Sequence, residues 1–187
     1  MMHTAEAAFR SRVLILAPVG RDAALTGLVL DRGGVKSVVC AELHELRRNL
    51  VEGAGAAVVT EEALIGQDIS GLAEWVAHQP SWSDFPFIIL LKPGASAEAC
   101  SPERDALQQS GNLTLVERPV GTATLVSAVR AALRARRRQY EVHDALYTAA
   151  VENQPGQRGI AAHRGQDQHA RAESRLTRVC HRRPLGS

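Results

Sequence analysis

Aromatic side chains are scarce in this 187-residue sequence: Phe, Trp and Tyr make up 4% of it, while 45% is hydrophobic. Any core must therefore be aliphatic, made of Val, Leu, Ile and Ala. Cysteine is scarcer still. Cys40, Cys100 and Cys180 are odd in number and widely spaced, which gives neither a disulfide framework nor a metal motif and fits a reducing cytoplasm. No stretch reaches the roughly 18 apolar residues of a membrane span. Met1 to Arg12 lacks the apolar run of a signal peptide. The chain reads as soluble and cytoplasmic. Net charge is nearly lacking as well, at +2, and by itself implies no partner. Its distribution is uneven. Residues 1–146 hold 15 Lys+Arg against 17 Asp+Glu, and residues 147–187 hold 7 Arg against 3 acids, so the basic character belongs to the tail.

Short apolar runs separated by amphipathic stretches are what is present. After a polar leader at 1–11, Val13-Leu14-Ile15-Leu16-Ala17 reads as a strand buried on both faces. Pro18-Val19-Gly20 stops it. Asp22 reads as the cap of a helix whose buried side holds Ala24, Leu25, Leu28 and Val29, closed by Gly33-Gly34. Val35 to Cys40, half polar at Lys36 and Ser37, reads as a strand nearer an edge. A helix from Glu42 to Glu52 turns Leu43, Leu46, Leu50 and Val51 inward and Arg47 and Arg48 outward. Ala56 to Thr60 is a third strand of small residues, suited to the middle of a sheet. A helix capped by Asp68 or Ser70 carries Leu72, Trp75 and Val76. Phe87 to Leu91 is the fourth strand, Pro102 opens a short helix to about Gln109, and Leu113 to Val116 is a short buried fifth strand.

Five strands alternating with helices predict a doubly wound parallel sheet of the flavodoxin-like order 2-1-3-4-5. In that order the carboxyl edge, at Ala17-Pro18, Thr60-Glu61 and Leu91-Lys92, is the expected place for any ligand or chemistry. The last element runs from Thr122 as one long helix. A heptad-like seam of Val126, Val129, Leu133, Arg136, Tyr140, His143 and Tyr147 predicts pairing with a second copy, with Val126, Val129, Leu133 and Tyr140 as the dimerising residues. Arg134, Arg136, Arg137 and Arg138 read as a solvated helix end that suits the helix dipole, or else as a contact to nucleic acid. No Gly-x-Gly-x-x-Gly follows the first strand, which argues against a dinucleotide site.

From Arg12 to Arg134 the chain resembles the receiver domains of two-component signalling. The strand Gly55 to Thr60 resembles the family's third strand, Pro86 to Leu91 its fourth, and Glu117-Arg118-Pro119-Val120 the Lys-Pro that closes its fifth. The resemblance places the family's Mg²⁺-binding acids on Ala17 and Pro18, its phosphoaccepting Asp on Thr60, its switch hydroxyl on Leu91 and its Lys on Arg118. Only the last keeps its charge. Phosphoryl transfer needs a metal bridging the oxygens and a carboxylate nucleophile, and alanine and proline offer Mg²⁺ no oxygen. Glu61 and Glu62 come one and two places late and are expected to aim elsewhere. The resemblance thus implies a pseudo-receiver, not an enzyme, with no metal and no cofactor. It is similar to the pseudo-receiver segments that precede the kinase core of some bacterial hybrid sensor histidine kinases. There the last helix runs on toward dimerising helices, so the implied role is a non-catalytic signalling and dimerisation domain with a protein partner of a two-component pathway. The same resemblance implies a cis Arg118-Pro119 bond.

The organisation expected is a leader at 1–11, the pseudo-receiver at 12–134, a helical extension at 135–150 and a disordered basic tail at 151–187. From Tyr147 onward there is no Lys or Phe, and Leu, Ile and Val total five, too few to build a core. His181-Arg182-Arg183-Pro184-Leu185 is only faintly similar to a kinase phosphoacceptor box. The mixture of Arg, Ala, Gly, Gln and His is also what GC-rich DNA yields in a wrong frame, so the tail is read either as a linker or as the end of a frameshifted or truncated kinase gene product. The alternative function is an adaptor that binds nucleic acid through the Arg-rich helix and tail.

Overall fold

Leu14 and Ile15 are fully buried neighbours on opposite faces of one strand, which only a sheet covered on both sides permits. In the computed structural model, which describes residues 10–94, 102–110 and 112–152, that strand is β1 (Val13–Leu16). It is followed by α1 (Asp22–Arg32), β2 (Ser37–Cys40), α2 (Leu43–Glu52), β3 (Ala56–Thr60), α3 (Ser70–Ala77), β4 (Pro86–Leu91), α4 (Pro102–Ser110), β5 (Asn112–Glu117) and α5 (Thr122–Glu152). A single 3₁₀ turn, Glu61–Ala63, follows β3. The leader before Arg10, Cys100, Cys180, His181 and the tail beyond Glu152 lie outside the described residues.

All strand pairs are parallel, in the order β2-β1-β3-β4-β5. Val13 is level with Ala56, and Thr60 with Leu90. The expected flavodoxin-like sheet is therefore present. Val13, Ile15, Ala56, Val58, Ile88 and Leu90 share one face with Leu30 of α1 and Leu125 and Val129 of α5. Leu46 and Leu50 of α2, and Leu72 and Val76 of α3, are buried in turn.

Three details differ from the sequence reading. On α1, Leu25 and Leu28 are 52% and 48% exposed, while Thr26 and Leu30 are buried. Gly27 lies on the side that faces the sheet, where a Cβ would make ordinary contact at 3.8 Å with Ile15 and Val39, and the helix rests on the sheet along Ala23, Thr26, Gly27 and Leu30. That is a proper helical stripe, turned away from the one the leucines suggested. Asp22 is not a cap; Arg21 holds the cap position, without a side-chain bond. Finally β5 is only half-buried, because it is the last strand of the sheet.

The chain divides into two compact units, residues 1–139 and 140–187. Of the second, the end of α5 is described. Its His143 and Tyr147 rings stack at 6.5 Å, Thr148 Oγ1 donates to the Asp144 carbonyl at 2.9 Å, and Val142 and Leu146 are 59% and 67% exposed. No helix among the described residues is long and apolar enough to cross a membrane.

Candidate functional site

In a doubly wound sheet the carboxyl ends of β1, β3 and β4 meet where the winding reverses. Ala17, Thr60 and Leu91 stand there, each buried, with Pro18 exposed beside them. Ala17 and Leu91 bring no polar side-chain atom. Thr60 brings a hydroxyl, yet its Oγ1 has no hydrogen-bond partner among the described residues. The Arg118-Pro119 peptide that follows β5 is cis.

Arg118 organises what charge there is. Its Nε donates to the Leu91 carbonyl at 3.0 Å, Nη1 to Asp22 Oδ2 at 3.0 Å, and Nη2 to Glu62 Oε1. Its backbone N–H reaches the same Leu91 carbonyl at 3.2 Å. The guanidinium fork thus ties the end of β4, the start of α1 and the turn after β3 to one another. That planar donor set is what distinguishes arginine from lysine at such a position.

Glu61 and Glu62 were expected to aim elsewhere, and they do not. The 3₁₀ turn Glu61–Ala63 folds the chain back at once after β3, so both carboxylates stay at the carboxyl edge. Glu61 is buried and its Oε2 accepts the Lys92 N–H at 3.3 Å. Burial pushes the Glu62 carboxyl up, but the Arg118 hydrogen bond, a bond to its own backbone and the charges of Arg118 and Lys92 outweigh that and hold it below the usual 4.5.

Three carboxylates near one edge invite the question of Mg²⁺, and the residues do not fit it. Ala17 and Pro18 lack oxygen ligands on their side chains. Asp22 and Glu62 already face the Arg118 guanidinium, and Glu61 is taken up by the Lys92 amide. A hard dication demands several free oxygens in one place.

Beside this cluster lies a cleft of about 470 Å³ lined by Leu16, Pro18, Glu42, Arg47, Glu62 and Asp68, among others. Arg47 was expected outward. Its guanidinium instead presses on Gly71, where a Cβ would come within 2.1 Å of Nη2. The Asp68 carboxyl is lowered by hydrogen bonds from Ser70 and by the Arg47 charge.

The helix residues assigned to dimerisation fall elsewhere than the seam supposed. Val129 is fully buried beneath the sheet, and Val126 and Leu133 pack against the same core. Tyr140 is half-buried. Arg136, read as part of a solvated cluster, is only 6% exposed. The reason is the loop before β4: Trp82, Ser83 and Phe85 receive its guanidinium.

No family model matches the sequence, and no curated protein does. Solved structures do match. A response regulator receiver domain from Clostridium thermocellum is 16% identical, with a TM-score of 0.52, over 68% of this chain and 97% of its own. A sensor protein from Polaromonas sp. JS666 is 19% identical, with a TM-score of 0.53, over 68% and 98%. The N-terminal domain of a response regulator/sensory box/GGDEF protein from Carboxydothermus hydrogenoformans is 17% identical, with a TM-score of 0.52, over 71% and 98%. The fold is that of a receiver domain. At these identities the likeness extends to the fold alone.

Proposed function

We propose that this chain is a pseudo-receiver: a non-catalytic signal-transduction module of a two-component pathway, resembling the segment that precedes the kinase core of a sensor histidine kinase. The observation that carries the reading is the Asp22–Arg118–Glu62 cluster. In a switchable receiver this edge must take up a metal and a phosphoryl group. Here an arginine already neutralises the nearest carboxylates, and the strand ends supply alanine, threonine and leucine. An edge held by internal ion pairs keeps one conformation and passes on contacts made elsewhere. A reducing cytoplasm suits it, since Cys40 is a free, buried thiol.

Output runs through α5. Self-association fits Val142 and Leu146, which are exposed and one helical turn apart, better than Val126, Val129 and Leu133, which serve the core. The alternative, an adaptor for nucleic acid, loses Arg136 to the interior and keeps Arg134, Arg137 and Arg138 exposed.

Incubation with acetyl phosphate and Mg²⁺, followed by intact-mass measurement, tests the pseudo-receiver reading. No adduct is expected. A stoichiometric phosphoryl adduct that disappears in Glu61→Gln or Glu62→Gln overturns it. A generic nucleic acid whose binding weakens steeply with salt would favour the adaptor instead.

A further inference from the structure

At the amino edge of the sheet, opposite the Arg118 cluster, most of the chain's few rings gather. Trp75 of α3 meets Phe85 edge to face at 5.3 Å, and Phe85 meets Phe87 at 5.1 Å. The Arg136 guanidinium of α5 stands 5.7 Å from both the Trp82 and the Phe85 ring centres. Its Nη1 donates to Ser83 Oγ at 2.7 Å and to Gln139 Oε1 at 2.9 Å. Gln139 engages the Asp84 backbone on both sides. Its Oε1 accepts the N–H at 3.1 Å and its Nε2 donates to the carbonyl at 3.2 Å. Gln79, two residues past α3, accepts from Ser83 Oγ at 2.7 Å and from the Phe85 N–H at 3.2 Å.

Packing alone does not call for these residue types. A leucine at position 136 would fill an apolar gap without the cost of burying a charge. What arginine and glutamine supply is direction: hydrogen bonds that hold one loop on one turn of one helix. They also supply reversibility. Asp84 is exposed and Gln139 half-exposed, so water can replace their mutual bonds when they part.

We infer that Arg136 and Gln139 latch the loop from Gln79 to Phe85 onto α5, and that loop and helix turn open as one unit while the sheet stays closed. The latch is the point at which this domain holds or releases its last helix. It lies at the opposite edge of the sheet from the degenerate pocket and works without phosphoryl chemistry, so it stands or falls independently of the pseudo-receiver reading.

Native-state hydrogen exchange of the full chain, resolved at single amides, tests it. Gln139→Ala is the first variant, since alanine favours the helix and the position is half-exposed. Arg136→Lys is the second; it keeps the charge and loses the fork. Each should raise exchange at the Asp84 amide by roughly five- to tenfold, the equivalent of one hydrogen bond. The Phe85 amide should rise by a similar factor, although its bond is to Gln79 and not to the altered residue. The Val58 and Ile88 amides should change by less than about twofold. A response confined to Asp84 overturns the shared opening. Sheet amides rising in step with the loop also overturn it, because Arg136 and Gln139 would then be ordinary supports of the whole domain. Wild-type exchange in both variants overturns it as well.

Discussion

Replacing Arg118 by alanine removes a side chain that is 19% exposed and bonded to Leu91, Asp22 and Glu62 at once. Glu62, itself 22% exposed, then loses its hydrogen-bonded cation and keeps only the charge of Lys92. Breaking a fully buried pair costs about 3–5 kcal/mol. This cluster is partly wet, with Asp22 44% exposed, so about 2–3 kcal/mol is expected for Arg118→Ala. Glu62→Gln keeps the shape and an acceptor and should cost less, about 1 kcal/mol. The double variant should reveal a coupling of about 1 kcal/mol or more between the two residues. Urea denaturation of the four proteins near neutral pH supplies the cycle. Acid adds a second check. Because the folded Glu62 carboxyl lies below its usual 4.5, its contribution is fully present above that value and is lost as pH falls through the lower, folded value. The wild-type advantage over Glu62→Gln should therefore be level near neutral pH and shrink in acid. A coupling under about 0.3 kcal/mol, or an advantage that grows on acidification, refutes the view that this ion pair holds the edge.

Leu146→Asp should leave the urea midpoint of the first unit unchanged and lower the mass seen by light scattering, whereas Val129→Asp, at a fully buried position, should abolish folding. A wild-type chain that stays monomeric at high concentration ends the self-association proposal. Gly55→Ala should destabilise by about 1–3 kcal/mol in thermal melts, because its Cβ would lie 2.4 Å from the Arg10 carbonyl oxygen and 2.5 Å from Leu133. Burial, then the Glu45 carboxylate, push the Cys40 thiol from 9.0 up to about 11. Alkylation of native Cys40 in mildly alkaline buffer should therefore run about a hundredfold slower than in a short peptide, as read by peptide mass mapping.

What was legible in the sequence is what depends on neighbours along the chain. Val13 to Leu16, Ala56 to Thr60 and Phe87 to Leu91 are strands because an unbroken apolar run suits only a sheet covered on both faces, and their number and spacing lead to the observed order. The misreadings arise where the third dimension decides. Counting leucines put Leu25 and Leu28 of α1 inward, but that helix settles on the sheet along a different stripe, through Thr26 and Leu30. Heptad counting put Val129 and Arg136 in one seam, and both do share a face; that face is turned to the chain's own sheet and to the loop around Trp82. A signal for this was present in the arginine itself, a charge in line with Val126, Val129 and Leu133, which is a costly choice for a coil and a sound one beside a tryptophan.

Glu61 and Glu62 show the limit most clearly. Strand alternation assigns each residue a side only while the strand lasts, and β3 ends at Thr60. One residue later a 3₁₀ turn takes over with roughly three residues per turn, and the rule that sent both carboxylates away no longer applies. The consequence is functional. A carboxylate two places past Thr60 would be a bystander on an extended strand. On this turn it reaches Arg118 and occupies it. On the pseudo-receiver proposal, an aspartate placed at position 60 alone should bring no phosphorylation, because Arg118 would remain committed to Glu62 and Asp22, and Ala17 and Pro18 would still offer no metal ligand. Intact-mass measurement of Thr60→Asp after acetyl phosphate and Mg²⁺ reads this directly. Modification of that single variant to completion would mean that the ion pair yields easily and does not by itself block phosphoryl chemistry at this edge.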